Sequence, residues 1–182
     1  GFNANLVTII SSDVPMKNLK TIIKAIALVK NEIPDIKLTI IGDLRSENSK
    51  LIKNLDLQKN IEFRKKLSRS DLLETLNNSD IGISGSLYEG FGFPLVEMIS
   101  TGLPVITSNK GSLPELAGNA GLVFEATSSS DLADKINKLI NQKDLRQELI
   151  DNAKNRRDDF FDWDEYAKRL ETVYQNIIRG NI

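Results

Sequence analysis

The sequence predicts an α/β fold: a doubly wound parallel sheet with helices on both faces. Three observations carry that prediction. Short, β-branched apolar runs recur along the chain, with stretches of helical spacing between them. The runs lack the in-out alternation of a sheet with one wet face, so they read as strands buried on both sides. The 182 residues, 40% hydrophobic and 27% charged, suit one domain with its own apolar core.

The elements follow in order. Leu6-Val7-Thr8-Ile9-Ile10 is the first strand. Leu19, Ile22, Ile23, Ile26 and Val29 share one face of a helix over 18–30, which Pro34 closes. A strand at 37–41 ends at Gly42, a polar helix covers 47–55, and a short strand spans 61–63. Ser68 or Ser70 caps a helix with Leu72, Leu73 and Leu76 on one face. A strand at 80–84 leads through a loop at 86–92 to a helix that starts at Pro94 and ends near Ser100. A strand at 104–107, a short helix from Ser112 and a last strand at 121–124 complete the sheet. Helices at 130–140, 143–156 and 164–178 follow, so that 159–182 forms a terminal helix region of a single domain spanning 1–182.

Composition excludes several chemistries. A net charge of −1 gives no global case for nucleic acid, and Lys135, Lys138, Lys143 and Arg146 read as exposed helix faces. With no cysteine and no histidine, disulfides, cysteine nucleophiles, Ser-His-Asp chemistry and His-ligated metals are ruled out within this chain. The lack of cysteine fits a reducing compartment, and a cytoplasmic location is expected, since no signal peptide or spanning segment is visible. Asp162-Trp163-Asp164 contains a D-x-D string. Its better reading is a helix cap, with Asp162 as N-cap, Glu165 completing an Asp version of the capping box, and Trp163 packing the last helix onto a neighbour. Asp158 and Asp159 read as a solvated helix end. No metal or cofactor is called for. The chain starts at Gly1 and reads as a fragment of a longer protein.

In a parallel sheet of this kind ligands bind beyond the carboxyl ends of the strands. The loops after Ile10, Ile41, Phe63, Ser84 and Thr107 are therefore the ones to inspect. The decisive stretch is Glu89-Gly90-Phe91-Gly92-Phe93-Pro94-Leu95-Val96-Glu97, between a strand and a helix. Gly90 and Gly92 leave main-chain N–H groups unobstructed, and Pro94 sets a helix start whose free N–H groups and dipole attract phosphate. Glu97 lies in a helix that is apolar on nearly all sides, so burial is expected, and a buried carboxylate needs partners such as ribose hydroxyls. Glu89 is placed to hold sugar hydroxyls. The plainer alternatives are an early-helix acid for Glu97, a solvated loop acid for Glu89 and a tight turn for the glycines. A dinucleotide-binding G-x-G-x-x-G loop is rejected: Leu95 replaces the third glycine, Pro94 intervenes, and the motif comes late in the chain.

Ser86 to Glu97 resembles the E-x7-E signature of family-4 retaining glycosyltransferases with the GT-B fold. Gly102 to Asn109, Leu113 to Leu116 and Phe161 to Asp164 are also similar to that family. The likeness covers essentially the whole chain but only the family's C-terminal, donor-binding half. It implies a Rossmann-like domain forming one half of a GT-B architecture, with the N-terminal acceptor-binding domain absent. It implies a nucleoside diphosphate sugar as donor substrate. By the same resemblance Glu89 contacts the transferred sugar and Glu97 holds the ribose. The main chain of Gly90, Phe91, Gly92, Leu95 and Val96 lines the sugar and diphosphate, and Lys17 binds the diphosphate. Phe63 to Leu67, including Arg64 and Leu67, flanks the base. Lys17 and Glu89 are thus the catalytic candidates.

Two positions depart from the pattern. Ser12 stands where the family has an arginine five residues before the lysine, and Lys65 replaces a common glycine. Arg64, Lys65 or Lys66 is a candidate to supply the missing charge. The resemblance implies sugar transfer with retained anomeric configuration, in polysaccharide biosynthesis, the leaving phosphate helping to deprotonate the acceptor. An isolated half is expected to bind donor without turnover, and peripheral membrane association of the full-length protein stays open. The alternatives are a non-catalytic nucleotide-sugar-binding partner module, favoured by Ser12, and a phosphorylase or epimerase of similar architecture.

Overall fold

Six parallel strands lie side by side in the order β3-β2-β1-β4-β5-β6. They are β1 (Leu6–Ile10), β2 (Lys37–Ile41), β3 (Ile61–Arg64), β4 (Ile81–Ser84), β5 (Val105–Ser108) and β6 (Gly121–Phe124). The computed structural model describes residues 6–160 and 163–180. The helices are α1 (Leu19–Lys30), α2 (Ser46–Asn54), α3 (Arg69–Asn77), α4 (Phe93–Ser100), α5 (Leu113–Ala117), α6 (Ser129–Asn141), α7 (Lys143–Arg156) and α8 (Trp163–Ile178). This is the doubly wound, Rossmann-like fold that the alternation of strands and helices predicts.

The pleat divides the strand side chains between two cores. On one face Val7, Ile9, Leu38, Ile40, Ile81, Ile83 and Ile106 pack against α1, α2 and α6 through Ile22, Ile23, Ile26, Ile52, Leu132 and Ile136. On the other, Val105 packs with Leu76 of α3, Leu95, Met98 and Ile99 of α4, Leu113 and Ala117 of α5 and Ala153 of α7. Each fully buried aliphatic chain contributes about 1.5–3 kcal/mol of hydrophobic stabilisation. Because both faces are covered, polar ligands have access at the strand ends.

Capping chemistry sets the helix boundaries. Ser68, not Ser70, caps α3, and its reciprocal bonds with Asp71 form a capping box. Ser128 caps α6 by accepting from the Asp131 N–H. Helix α4 begins one residue before the expected Pro94, with Phe93 first and Gly92 as the left-handed N-cap at φ 98°.

Two surface expectations are corrected, and a third, the solvated helix end at Asp158 and Asp159, agrees with the structure. Arg146 is 5% exposed, not on an open helix face; its guanidinium donates to the carbonyls of Leu139 and Ile140 at 2.6 and 2.9 Å. The last carbonyls of a helix need donors from outside it, and Arg146 supplies them to α6. Trp163 is 74% exposed, contacting Tyr166 edge-on at 6.0 Å, and α8 has no buried residue. The aromatic is amphipathic spacing without a covering surface among the described residues. Asp158 and Asp159 are exposed in a 3-10 turn, Arg157–Asp159, where they pair with Arg157 and Arg156. The Asp162 cap lies outside the described residues. Among the described residues no helix is long and apolar enough to cross a membrane.

Candidate functional site

Strand order reverses between β1 and β4, so the loops that leave these strands diverge and open a crevice at the sheet's carboxyl edge. The loop after β1 ends in a 3-10 turn, Pro15–Lys17, which carries Lys17. The loop after β4 carries Glu89. Their side chains meet: Lys17 Nζ donates to Glu89 Oε2 at 2.5 Å, with 25% and 18% of the two side chains exposed. Two of the sequence candidates thus come from opposite sides of the switch point to one place.

The same carboxylate oxygen accepts from the Ser86 hydroxyl at 3.1 Å. Ser86 is itself held from below, because the buried Ser108 hydroxyl at the end of β5 donates to its carbonyl. The loop after β5 braces the next turn as well. The Ser112 N–H donates to the Glu89 carbonyl at 3.3 Å, and its hydroxyl to the Phe91 carbonyl at 2.8 Å. Gly111 sits directly beneath, at φ 57°; a Cβ there would stand 2.4 Å from the Glu89 oxygen. The Leu87 N–H donates to the Met16 carbonyl at 2.8 Å and ties the two rim loops together.

The stretch from Gly90 to Val96 divides by its main-chain bonding. The main-chain N–H groups of Gly90, Phe91 and Gly92 have no partner among the described residues. Those of Leu95 and Val96 both donate to the Gly92 carbonyl, at 2.9 and 3.2 Å, and close the first turn of α4. Leu95 is buried in the core, whereas the Phe91 ring stacks obliquely on Phe93 with centroids 4.8 Å apart. Phe91 and Val96 face a groove of about 960 Å³ between α4 and α8, lined also by Phe93, Leu116, Tyr166 and Leu170. The groove does not include Lys17 or Glu89, so this concavity is beside the rim and not on it.

Glu97 is exposed, against expectation. Helix α4 turns Leu95, Met98 and Ile99 inward, and Glu97, four residues after exposed Phe93, lies on the outer side. Among the described residues it makes no salt bridge. Arg64, at the end of β3, donates to Glu62 at 2.9 Å and to the Thr75 hydroxyl at 3.1 Å. Leu67 is half-buried after it, Lys65 pairs with Asp43 at 3.0 Å, and Ser12 is exposed on the rim loop. Of the stand-ins for the missing arginine, Arg64 and Lys65 are thus already paired.

Sequence reasoning passed over Asn18, Asp13 and Gly111. Asp13 is buried and accepts from the Arg45 N–H and the Asn48 amide at 2.5 and 2.6 Å, joining the loop after β1 to the start of α2. Its signal in the sequence is a short acid in a rim loop, two residues before the turn Pro15–Lys17.

The model of the family described as glycosyl transferases group 1 matches residues 3–156. The chain belongs to this family. It is 29% identical over 178 residues to the MMP alpha-(1->4)-mannosyltransferase of Mycolicibacterium hassiacum, a match covering 95% of the chain and 43% of that protein. Among solved structures, Anabaena HepE in complex with UDP and glucose superposes with a TM-score of 0.85 at 23% identity, over 96% of the chain and 49% of HepE. The C-terminal domain of a glycosyl transferase group 1 protein, LpcC from Francisella tularensis, matches with a TM-score of 0.72 at 25% identity, over 83% of each chain. The chain spans about two fifths of the length of the first curated relative, and what it corresponds to is a C-terminal domain.

Proposed function

We propose that this chain is the donor-binding half of a retaining glycosyltransferase that takes a nucleoside diphosphate sugar. The observation that supports this reading is the Lys17–Glu89 pair at the switch point, in a member of the glycosyl transferases group 1 family. HepE, which has the same fold, is described with UDP and glucose bound.

The main barrier to transfer is separating a cationic sugar from a diphosphate leaving group. Charge stabilisation at the leaving oxygens is the largest lever available. Lys17 supplies a cation there, and the N–H groups of Gly90, Phe91 and Gly92 supply fixed donors. Glu89 accepts sugar hydroxyls and aligns the ring. Glu97, exposed at the outer side of α4, takes the ribose, and Arg64 and Leu67 flank the base. No residue of this chain is an evident general base, so acceptor deprotonation falls to the leaving phosphate. Acceptor binding and water exclusion fall to a second α/β domain. The bare apolar face of α8, with Trp163, Val173 and Ile177 all more than 40% exposed, is the kind of surface a protein partner covers.

Calorimetric titration with UDP-, GDP- and ADP-sugars tests the proposal. Saturable binding of one of them, without transfer by the isolated chain, is expected. A folded sample that binds none into the millimolar range contradicts it.

A further inference from the structure

We propose that Asn18 is a positioning residue: its buried amide clamps three rim loops and so sets the Lys17–Glu89 spacing. The residue is 9% exposed and left-handed, with φ 58° and ψ 32°. Glycine adopts that conformation without steric cost, and asparagine is among the few other residues that tolerate it. Backbone shape alone therefore does not require the amide. Nor does helix capping, because the side chain makes no cap bond to the first turn of α1.

The amide is instead used across the rim. Asn18 Nδ2 donates to the Gly85 carbonyl at 3.0 Å and to the Ala126 carbonyl at 2.7 Å. Its Oδ1 accepts from the Thr21 hydroxyl at 2.7 Å; the two carbonyls only accept, so they hold the amide with Nδ2 toward them. One side chain thus joins the loops after β1, β4 and β6. The joined points are close to the pair in sequence. Lys17 directly precedes Asn18, and the Asn18 N–H closes the turn that carries Lys17 by donating to Pro15 at 3.1 Å. Gly85 directly precedes Ser86, whose hydroxyl bonds Glu89. Without the amide, the Leu87–Met16 bond is left as the main-chain tie between these two loops.

The consequence for ligands rests on the donor-site reading above: a Lys17 whose loop has shifted, unlike one merely freed from Glu89, loses grip on a diphosphate and not on a nucleoside. The discriminating variant is Asn18→Gly, which keeps the left-handed backbone and removes the clamp. Two readouts are needed. In the empty protein, the rate at which an amine-reactive ester labels Lys17, followed by peptide mass spectrometry, rises several-fold toward the rate in Glu89→Gln, while Lys138 labels as before. By calorimetry, affinity for UDP or GDP falls about tenfold, the size expected for the loss of roughly one hydrogen bond's net worth, with UMP or GMP affinity unchanged. Asn18→Asp, which offers no donor to either carbonyl, behaves no better than Asn18→Gly.

A wild-type labelling rate in Asn18→Gly overturns the inference, as does an equal loss of diphosphate and monophosphate affinity. Should Asn18→Gly fail to fold, Asn18→Asp, which keeps the size of the side chain and loses both donors, gives the rise in Lys17 labelling; no rise there sinks the proposal. If the wild-type chain binds no nucleotide, the donor-site reading fails, while the labelling rates still decide the clamp.

Discussion

Lys17 and Glu89, 72 residues apart in sequence, close across the switch point of the sheet with Nζ 2.5 Å from Oε2. The pair is partly buried, and each member has a ligand of its own in the proposed reaction. An incoming diphosphate therefore competes with Glu89 for the ammonium. Glu89→Gln removes that competitor and a nearby negative charge. Affinity for UDP or GDP is expected to rise by roughly threefold to tenfold, the range of a single hydrogen bond's net worth, while the extra affinity contributed by the sugar is lost. Lys17→Ala is expected to weaken diphosphate binding by about tenfold to a hundredfold, since it removes a charged donor. Calorimetry on both variants checks the opposite signs; weakening of diphosphate binding in both refutes the competition.

The loop that carries Glu89 rests on Gly111. Gly111→Ala places a methyl 2.4 Å from the Glu89 carbonyl oxygen at a φ of 57°. A loss of about 1–3 kcal/mol is expected, seen as a drop in melting temperature and accompanied by weaker nucleotide-sugar binding. Gly90→Ala meets nothing within 4 Å. It is expected to keep stability within about 0.5 kcal/mol and to lower binding only, because the methyl projects where a ligand approaches. Equal melting shifts for the two variants contradict this account of the loop.

Glu97 is exposed on α4, so Glu97→Ala is expected to change stability by less than about 0.5 kcal/mol. Its proposed hold on the ribose predicts weaker binding of UDP or GDP. Unchanged affinity removes that role.

Ser12 is exposed five residues before Lys17. Ser12→Arg is expected to strengthen diphosphate binding by about tenfold or less at low salt, with the gain fading as salt rises. No gain at low salt indicates that another cation already fills that place.

The fold was legible because the strands are Val- and Ile-rich runs and the helices between them repeat their apolar residues at helical spacing. Glu89, Lys17 and the glycine loop were legible for a different reason: a parallel sheet presents its ligands at strand ends, and their loops follow strands. The expectation of a buried Glu97 fails because eight helical residues with so few polar ones look apolar all round. In the structure Leu95, Met98 and Ile99 suffice to fill the inner side, leaving Phe93 and Glu97 outside. Arg146 is hard to place for the converse reason: a charged residue near a helix start looks solvated, but the carbonyls at the end of the preceding helix need its donors. Asn18 and Gly111 act through carbonyls far away in sequence, at Gly85 and Ala126 for one and at Glu89 for the other. Such meetings depend on how three loops converge, which no local spacing encodes.

The most direct test of the donor site is a crystal structure of this chain soaked with the nucleotide sugar it binds best. A non-bridging β-phosphate oxygen is expected within hydrogen-bond distance of Lys17 Nζ, with a sugar hydroxyl on Glu89 and the bond between those two side chains broken or shared. A ligand seated elsewhere, with Lys17 and Glu89 still joined as in the empty protein, would contradict it.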